Sequence, residues 1–245
     1  MVSLFLLNIF IRNELLLINI NLDLDTIFET LDEIFRAYLK RNETGWTKVF
    51  YFNKVLEKYI LKSQDIFNYL INNPTIQYYE VMVGNFYKNG FGIDKNENKA
   101  FEWYMKASEK GDINGHYEVG YCYNHGYGIE KNHEKSFEFY QLAANSELNI
   151  ALKKLADFYQ YIEENKFKAF ELYKKSAENG FIPSQYELAN CYKDGKGIQQ
   201  NKNETLKWFK LYQENDGDQD VSSIIKYIEK EMVRYNVLYL YLFQI

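Results

Sequence analysis

A segment that recurs every 33 to 36 residues constrains the fold of this chain more than any other feature. Its four copies contain KAFEWY, KSFEFY, KAFELY and ETLKWF, and the second letters of these strings are Ala100, Ser136, Ala169 and Thr205. A sustained period in this range is typical of a solenoid, in which each repeat packs mainly on its neighbours. The repeat therefore predicts a stack of similar units.

Each copy begins with a short apolar segment that predicts a first helix, helix A. Two of the four segments are VMVGNFY, which ends at Tyr87, and YELANCY, which ends at Tyr192. Large apolar and aromatic residues recur at helical spacing in them, which indicates a helix with one buried face. One aligned position is always small: Gly84, Gly120, Ala156 and Ala189. We interpret this position as the point where helix A crosses the next helix closely.

A glycine-containing turn follows helix A in three copies, at residues 90–93, 126–129 and 195–198. Glycine just past a helix end supplies the positive φ of a left-handed cap. The third copy has no glycine here and is three residues shorter, which accounts for its spacing of 33 residues. We expect a tighter or differently built turn in that copy.

The second helix of each copy, helix B, contains a recurrent bulky position. It is occupied by Trp103, Phe139, Leu172 and Trp208. Bulky side chains that recur at the repeat period usually fill the space between helices, so we assign them to packing rather than to a ligand cage.

The combined pattern resembles the Sel-1-like repeat, a relative of the tetratricopeptide repeat. The pattern of that family is A-x-x-L-G-x-x-Y in helix A, then G-x-G-[VI], then K-A-x-x-W-[YF]-x-x-A-A-x-x-G in helix B. The resemblance covers about residues 76–216, as four repeats at about 76–111, 112–147, 148–180 and 181–216. The third lacks its glycines, and the fourth has Tyr212 where the family usually has Ala. The resemblance implies an all-α, right-handed α/α superhelical solenoid of helix-turn-helix repeats.

Helical segments are expected on both sides of the repeats. Residues 22–73 predict an N-terminal helical cap, which includes a short helix that Asp65 caps and that runs to Ile71. Residues 217–245 predict a C-terminal capping helix, from about 221 to 235, and an apolar tail. Residues 1–21 form an apolar N-terminal extension. Whether the two apolar ends pack on the helices, contact a membrane or mediate association stays open.

Composition and charge favour an intracellular, cytoplasmic protein. A net charge of −5 argues against nucleic acid as the main partner, because binding to phosphates needs a basic face. Asn8 and Arg12 interrupt the apolar N-terminal segment, so it predicts no membrane span, and it lacks the features of a signal peptide. Cys122 and Cys191 lie two repeats apart, too far for a disulfide, which indicates buried thiols in a reducing compartment.

No arrangement of residues predicts catalysis, a cofactor or a metal. The only histidines, His116, His125 and His133, have no Cys or carboxylate partners at a metal-ligand spacing. The chain contains no glycine-rich nucleotide loop followed by Lys, and no H-R-D or D-F-G motif. We therefore expect a protein that is not an enzyme.

The resemblance implies a scaffold or adaptor that binds a protein or peptide, with the A helices lining the concave face. The exposed positions of these helices predict the binding groove: Asn85, Lys88, Tyr117, Tyr121, Asn124, Lys153, Asp157, Gln160, Tyr186, Asn190 and Lys193. The alternative for any one of them is an ordinary solvated position. A second hypothesis is a regulatory module that acts with a separate signalling enzyme, such as a kinase.

Overall fold

The computed structural model describes residues 63–72, 74, 79–215 and 217–243. All regular secondary structure within these residues is α-helical, in ten helices. The predicted N-terminal extension and most of the predicted N-terminal cap lie outside the described residues. The helices are α1 (Ser63–Asn72), α2 (Tyr79–Asn89), α3 (Glu97–Glu109), α4 (Ile113–His125), α5 (His133–Asn145), α6 (Asn149–Tyr161), α7 (Lys166–Glu178), α8 (Ile182–Asp194), α9 (Lys202–Glu214) and α10 (Ser222–Phe243).

The four repeats are the helix pairs α2/α3, α4/α5, α6/α7 and α8/α9, in which the first helix is helix A and the second is helix B. Each helix packs on its partner within the pair and on the helix that follows it in the chain. The structure confirms the predicted all-α helical-repeat solenoid.

The small residue of helix A lies where helix B crosses it, as the sequence predicts. A Cβ atom on Gly84 would lie 2.5 Å from Cε1 of Tyr104, and one on Gly120 would lie 2.8 Å from Cδ1 of Tyr140. Both tyrosines are buried. The ring of helix B therefore occupies the space that a side chain on helix A would need, which explains the small residue.

The bulky position of helix B packs between helices, as predicted, although it is not the most buried one. Trp103 contacts Tyr79 edge-on, and Phe139 stacks on Tyr123. Trp208 is buried, whereas the residues at this position in the other copies are partly exposed. The residue one position later is buried in every copy: Tyr104, Tyr140, Tyr173 and Phe209.

Asparagine caps the N-terminus of every helix B, a feature that the sequence reading did not single out. Asn96, Asn132, Asn165 and Asn201 each accept a hydrogen bond at the side-chain oxygen from a backbone N–H in the first turn. A side-chain N-cap of this kind contributes about 1 kcal/mol to helix stability. The capping residue thus sets the start of helix B in each repeat.

The turn of the third repeat is shorter, as predicted. Residues 162–165 connect α6 to α7, whereas residues 90–96 connect α2 to α3. Glu164 supplies the positive φ that glycine supplies in the other copies, with a φ of 54°. A non-glycine residue therefore adopts the left-handed conformation that reverses the chain here.

Two predicted boundaries outside the repeats are wrong. Asp65 does not precede a helix, because α1 begins at Ser63. The last helix does not end near residue 235 but continues to Phe243, so most of the apolar tail extends α10. Helix patterns specify the presence of a helix better than its ends.

Helix α10 packs on the last repeat. Val221 and Ile225 are buried in one apolar cluster with Phe209 and Tyr212 of α9. Among the described residues, no helix is both long enough and apolar enough to cross a membrane. Cys122 and Cys191 are buried free thiols, in agreement with the sequence.

Candidate interaction surface on the A helices

The A helices α2, α4, α6 and α8 present a row of polar and aromatic side chains, which we call the A-helix surface. Its members are the predicted groove residues together with Glu118, Lys154 and Glu187. Most of them are partly exposed. Their arrangement differs from one repeat to the next.

An ion pair joins the first two A helices. Lys88 Nζ lies 3.2 Å from Glu118 Oε2, and the side chain of Glu118 is only 1% exposed. Burial alone would lower the pKa of Lys88, but the charge of Glu118 and its hydrogen bond raise the pKa above the usual value. Lys88 is therefore a cation that partly neutralises a buried carboxylate between two repeats.

Three aromatic rings lie beside this ion pair: Tyr121, His125 and Tyr127, which we call the ring cluster. The centroids of Tyr121 and His125 are 4.1 Å apart, and those of His125 and Tyr127 are 5.5 Å apart with nearly parallel planes. Lys88 Nζ lies 4.1 Å from the centroid of Tyr121. The cluster presents a partly exposed aromatic platform that a cation flanks.

Burial, with Lys154, Lys88 and Lys131 nearby, lowers the pKa of His125. A hydrogen bond from Nδ1 of His125 to the backbone oxygen of Tyr121 opposes this shift. The imidazole is therefore mainly neutral at neutral pH, and its ring belongs to the platform rather than to the cations around it.

The third repeat contains a fixed network of polar groups. Lys153 Nζ lies 2.9 Å from both carboxylate oxygens of Asp157. The buried Tyr173 donates a hydrogen bond of 2.7 Å to Asp157 Oδ1. In the first repeat Tyr104 donates in the same way to Asn85, at 2.9 Å. In these two repeats, the residue that follows the small position of helix A thus accepts a hydrogen bond from the buried tyrosine of helix B.

The second and fourth repeats lack this bond. Tyr121 occupies the acceptor position in the second repeat, and the hydroxyl of Tyr140 has no hydrogen-bond partner among the described residues. In the fourth repeat the buried ring is Phe209, and Asn190 accepts a bond of 2.8 Å from Lys193 instead. Residues at one aligned position therefore have different partners in different repeats.

Ten of the eleven predicted groove residues are at least partly exposed. Lys193 is exposed, and the nine that are partly exposed are Asn85, Lys88, Tyr121, Asn124, Lys153, Asp157, Gln160, Tyr186 and Asn190.

Tyr117 differs from the other predicted groove residues. Its side chain is only 4% exposed and packs on Tyr140, with 5.6 Å between the ring centroids. Tyr117 therefore belongs to the core of the second repeat and offers a partner almost no surface. The sequence analysis assigned Tyr117 to the exposed face of helix A, because tyrosine is common both in cores and at surfaces.

Three charged residues of this surface were missed by the sequence reading. Glu118, Lys154 and Glu187 occupy one aligned position of helix A, two residues before the small position. A charged residue next to large apolar residues in three copies was the available signal. Burial lowers the pKa of Lys154 and raises the pKa of Glu187, and neither side chain forms an ion pair within the described part of the chain.

Each of the three histidines lies within hydrogen-bonding distance of a polar group of the chain. His116 Nδ1 lies 2.7 Å from Ser108 Oγ, and His133 Nδ1 lies 3.3 Å from Asn124 Oδ1. No three His, Cys, Asp or Glu residues of the described ranges are grouped so that they could hold a metal ion. The groups that this surface offers are those of molecular recognition: rings, amides and charges.

The stacked helix pairs and their shared surface define the class of protein, an all-α helical-repeat solenoid. The model of the Sel1 repeat family matches residues 78–112, 113–147, 150–181 and 182–211, which are more than half of the chain. The chain therefore belongs to the Sel1 repeat family. Curated proteins give no significant match.

Solved structures give the same result. The chain is 25% identical to a Sel1 repeat protein from Oxalobacter formigenes, with a TM-score of 0.60 over 65% of this chain and 68% of that one. It is 26% identical to c5321, a protective antigen of uropathogenic Escherichia coli with the same type of repeat fold, with a TM-score of 0.56 over 62% of this chain and 34% of that one. The immunity protein Pa5087 of Pseudomonas aeruginosa, 19% identical, shares the fold, with a TM-score of 0.50 over 74% of each chain.

Proposed function

We propose that the protein is a non-catalytic interaction scaffold that binds a peptide or a protein segment along the A-helix surface, in the concave groove of the solenoid. Sel1 repeat proteins generally act as scaffolds for protein–protein interaction. The observation that supports this role most directly is the ring cluster, because partly exposed tyrosines beside amides and charges are the groups that anchor protein partners.

The rigidity of the surface also supports binding. Asp157 is held by Lys153 and Tyr173, and Asn85 is held by Tyr104, so these acceptors keep their positions without a partner. Side chains that are already ordered lose less conformational entropy when a complex forms. A partner that matches their arrangement would therefore be bound without reorganisation of the helices.

A capture experiment with a double variant tests this proposal. Purified chain is used to recover interacting proteins, and the recovered set is compared with that of Tyr121→Ala/Asn190→Ala. The matched control is Glu138→Ala/Lys226→Ala, which alters two exposed residues on α5 and α10. We expect the groove variant to lose proteins that the control variant retains, at equal helix content by circular dichroism. If every captured protein still bound the groove variant, the groove assignment would be refuted.

The identity of the captured protein separates the two functional hypotheses. Recovery of a signalling enzyme whose activity changes on binding would identify a regulatory module. Recovery of a defined complex without such an effect would identify a scaffold. The described residues favour no class of enzyme, kinases included, as the partner.

A further inference from the structure

The aligned position that holds Glu118, Lys154 and Glu187 faces the preceding A helix. The pair between Glu118 and Lys88 of α2 shows this directly. Lys154, 36 residues after Glu118, correspondingly faces α4, and its charge contributes to lowering the pKa of His125 on that helix. Tyr121 of the ring cluster packs on the apolar cluster that contains Leu152 and Leu155, the residues near Lys154 on α6. Lys154 therefore lies at the junction of the second and third A helices, beside the ring cluster.

Lys154 lacks the partner that stabilises the equivalent position in the preceding repeat. The residue that corresponds to Lys88 is Asn124, which has no charge. The carboxylate that acts on Lys154, Asp157, is bound through both oxygens to Lys153 and accepts a bond from Tyr173. Lys154 is thus a partly buried cation, and the carboxylate that acts on it already has other partners.

The charges around the ring cluster are mainly positive. Lys88, Lys131 and Lys154 all act on His125, and Glu118 forms an ion pair with Lys88. This local excess of positive charge is notable in a chain whose net charge is −5. An anionic group placed here would meet cations without displacing an existing ion pair.

The next junction along the surface differs. Glu187 occupies the same aligned position in the fourth repeat, and burial raises its pKa. Two cations, Lys153 and Lys196, lower this pKa, and Asp157 raises it further. The fourth repeat therefore places a carboxylate at the position where the third repeat places a cation.

We propose that Lys154 and the ring cluster together bind an acidic side chain of the partner, with its carboxylate on Lys154 Nζ and a neighbouring apolar or aromatic residue on the rings of Tyr121 and Tyr127. This inference rests on the proposed function, since it assumes that the A-helix surface binds a peptide segment. It specifies which chemistry the second and third repeats select.

Selection from a random dodecapeptide library displayed on phage tests the proposal. The library is selected on the full chain, on Lys154→Met and on the control Lys226→Met, which alters an exposed lysine of α10. Methionine retains the length of the lysine stem and removes its charge. Because this substitution also removes a desolvated cation, Lys154→Met is expected to fold as well as the native chain, which a thermal melt verifies.

We expect the native chain and Lys226→Met to enrich peptides with Asp or Glu next to an aromatic or large apolar residue. Selection on Lys154→Met should retain the aromatic preference and lose the acidic one. Two results would overturn this inference and leave the peptide-binding function intact. One is that the native chain enriches peptides without acidic residues. The other is that Lys154→Met enriches acidic residues as strongly as the native chain does. Failure of the native chain to enrich any sequence would overturn both.

Synthetic peptides then identify the source of the carboxylate. Replacement of the enriched Asp or Glu by Asn or Gln should weaken binding to the native chain about tenfold, the effect of losing one charge-assisted hydrogen bond at a partly exposed site. The same replacement should have little effect on binding to Lys154→Met. Amidation of the peptide C-terminus should leave the affinity unchanged, and dependence on a free C-terminal carboxylate instead would contradict the proposal.

Discussion

Gly197→Ala is expected to destabilise the junction between the third and fourth repeats much more than the matched substitution Gly180→Ala. Both glycines have a positive φ, of 73° and 86°. They differ in their surroundings, because a Cβ atom on Gly197 would lie 2.0 Å from the backbone oxygen of Lys166, whereas one on Gly180 would have no atom within 4 Å. Gly197 thus packs directly on the start of α7.

The difference between the two variants follows from these contacts. An alanine in the left-handed region costs roughly 1–2 kcal/mol, and this cost is common to both positions. At Gly197 the carbonyl of Lys166 must also move by about 1 Å or more to reach an ordinary contact distance, and overpacking of this kind costs typically ~1–3 kcal/mol. We therefore expect a loss of roughly 1–2 kcal/mol for Gly180→Ala and roughly 2–5 kcal/mol for Gly197→Ala.

Urea unfolding followed by circular dichroism measures both losses, with the free energy taken from the midpoint and slope of the transition. Gly128→Ala provides a second example, since its Cβ atom would lie 2.0 Å from the backbone oxygen of Glu97 at the junction between the first and second repeats. It should behave like Gly197→Ala. Equal losses at Gly180 and Gly197 would show that the backbone contact between repeats does not contribute to stability, and the reasoning would be refuted.

Two further predictions concern buried groups of the core. Tyr173→Phe removes the donor to Asp157 and should lower the free energy of unfolding in urea by about 1–2 kcal/mol. Tyr140→Phe removes a hydroxyl that has no partner among the described residues, so it should be neutral or slightly stabilising. The opposite order would contradict these hydrogen-bond assignments. Burial raises the pKa of Cys122 and of Cys191 to about 12, so both thiols should react with a thiol reagent at about pH 8 only as fast as the chain opens. Because unfolded thiols ionise above about pH 8.5, stability should also fall as the pH rises from there toward 12, and Cys→Ser variants, each compared with the native chain, should show a smaller fall.

The repeat architecture could be predicted from the sequence because it depends on local patterns that occur four times. The crossing at Gly84 and Gly120, the shorter turn of the third repeat and the burial of the two thiols all agree with the structure. Because the pattern occurs four times, a position that is ambiguous in one copy can be assigned from the aligned positions of the other copies. The end of α10, which has no second copy, was misjudged.

The candidate surface was predicted less completely. Tyr117 and Tyr121 are on the same helix, four residues apart, and the sequence treats them alike. The structure places Tyr117 in the core and leaves Tyr121 partly exposed in the ring cluster. Lys154 was overlooked because its significance lies in the absence of a partner on a neighbouring helix, which a pattern within one helix does not reveal.

The sequence by itself determined the helix pairs, their number in the repeats and their order. These properties follow from the spacing of apolar, small and glycine residues along the chain, which acts over one or two helical turns. Only the tertiary structure decided which side chains of the A helices are buried, which are held by hydrogen bonds and which charges remain uncompensated. Burial and electrostatic pairing depend on residues about 30 positions away, such as Lys88 for Glu118, and these come together only when the repeats stack.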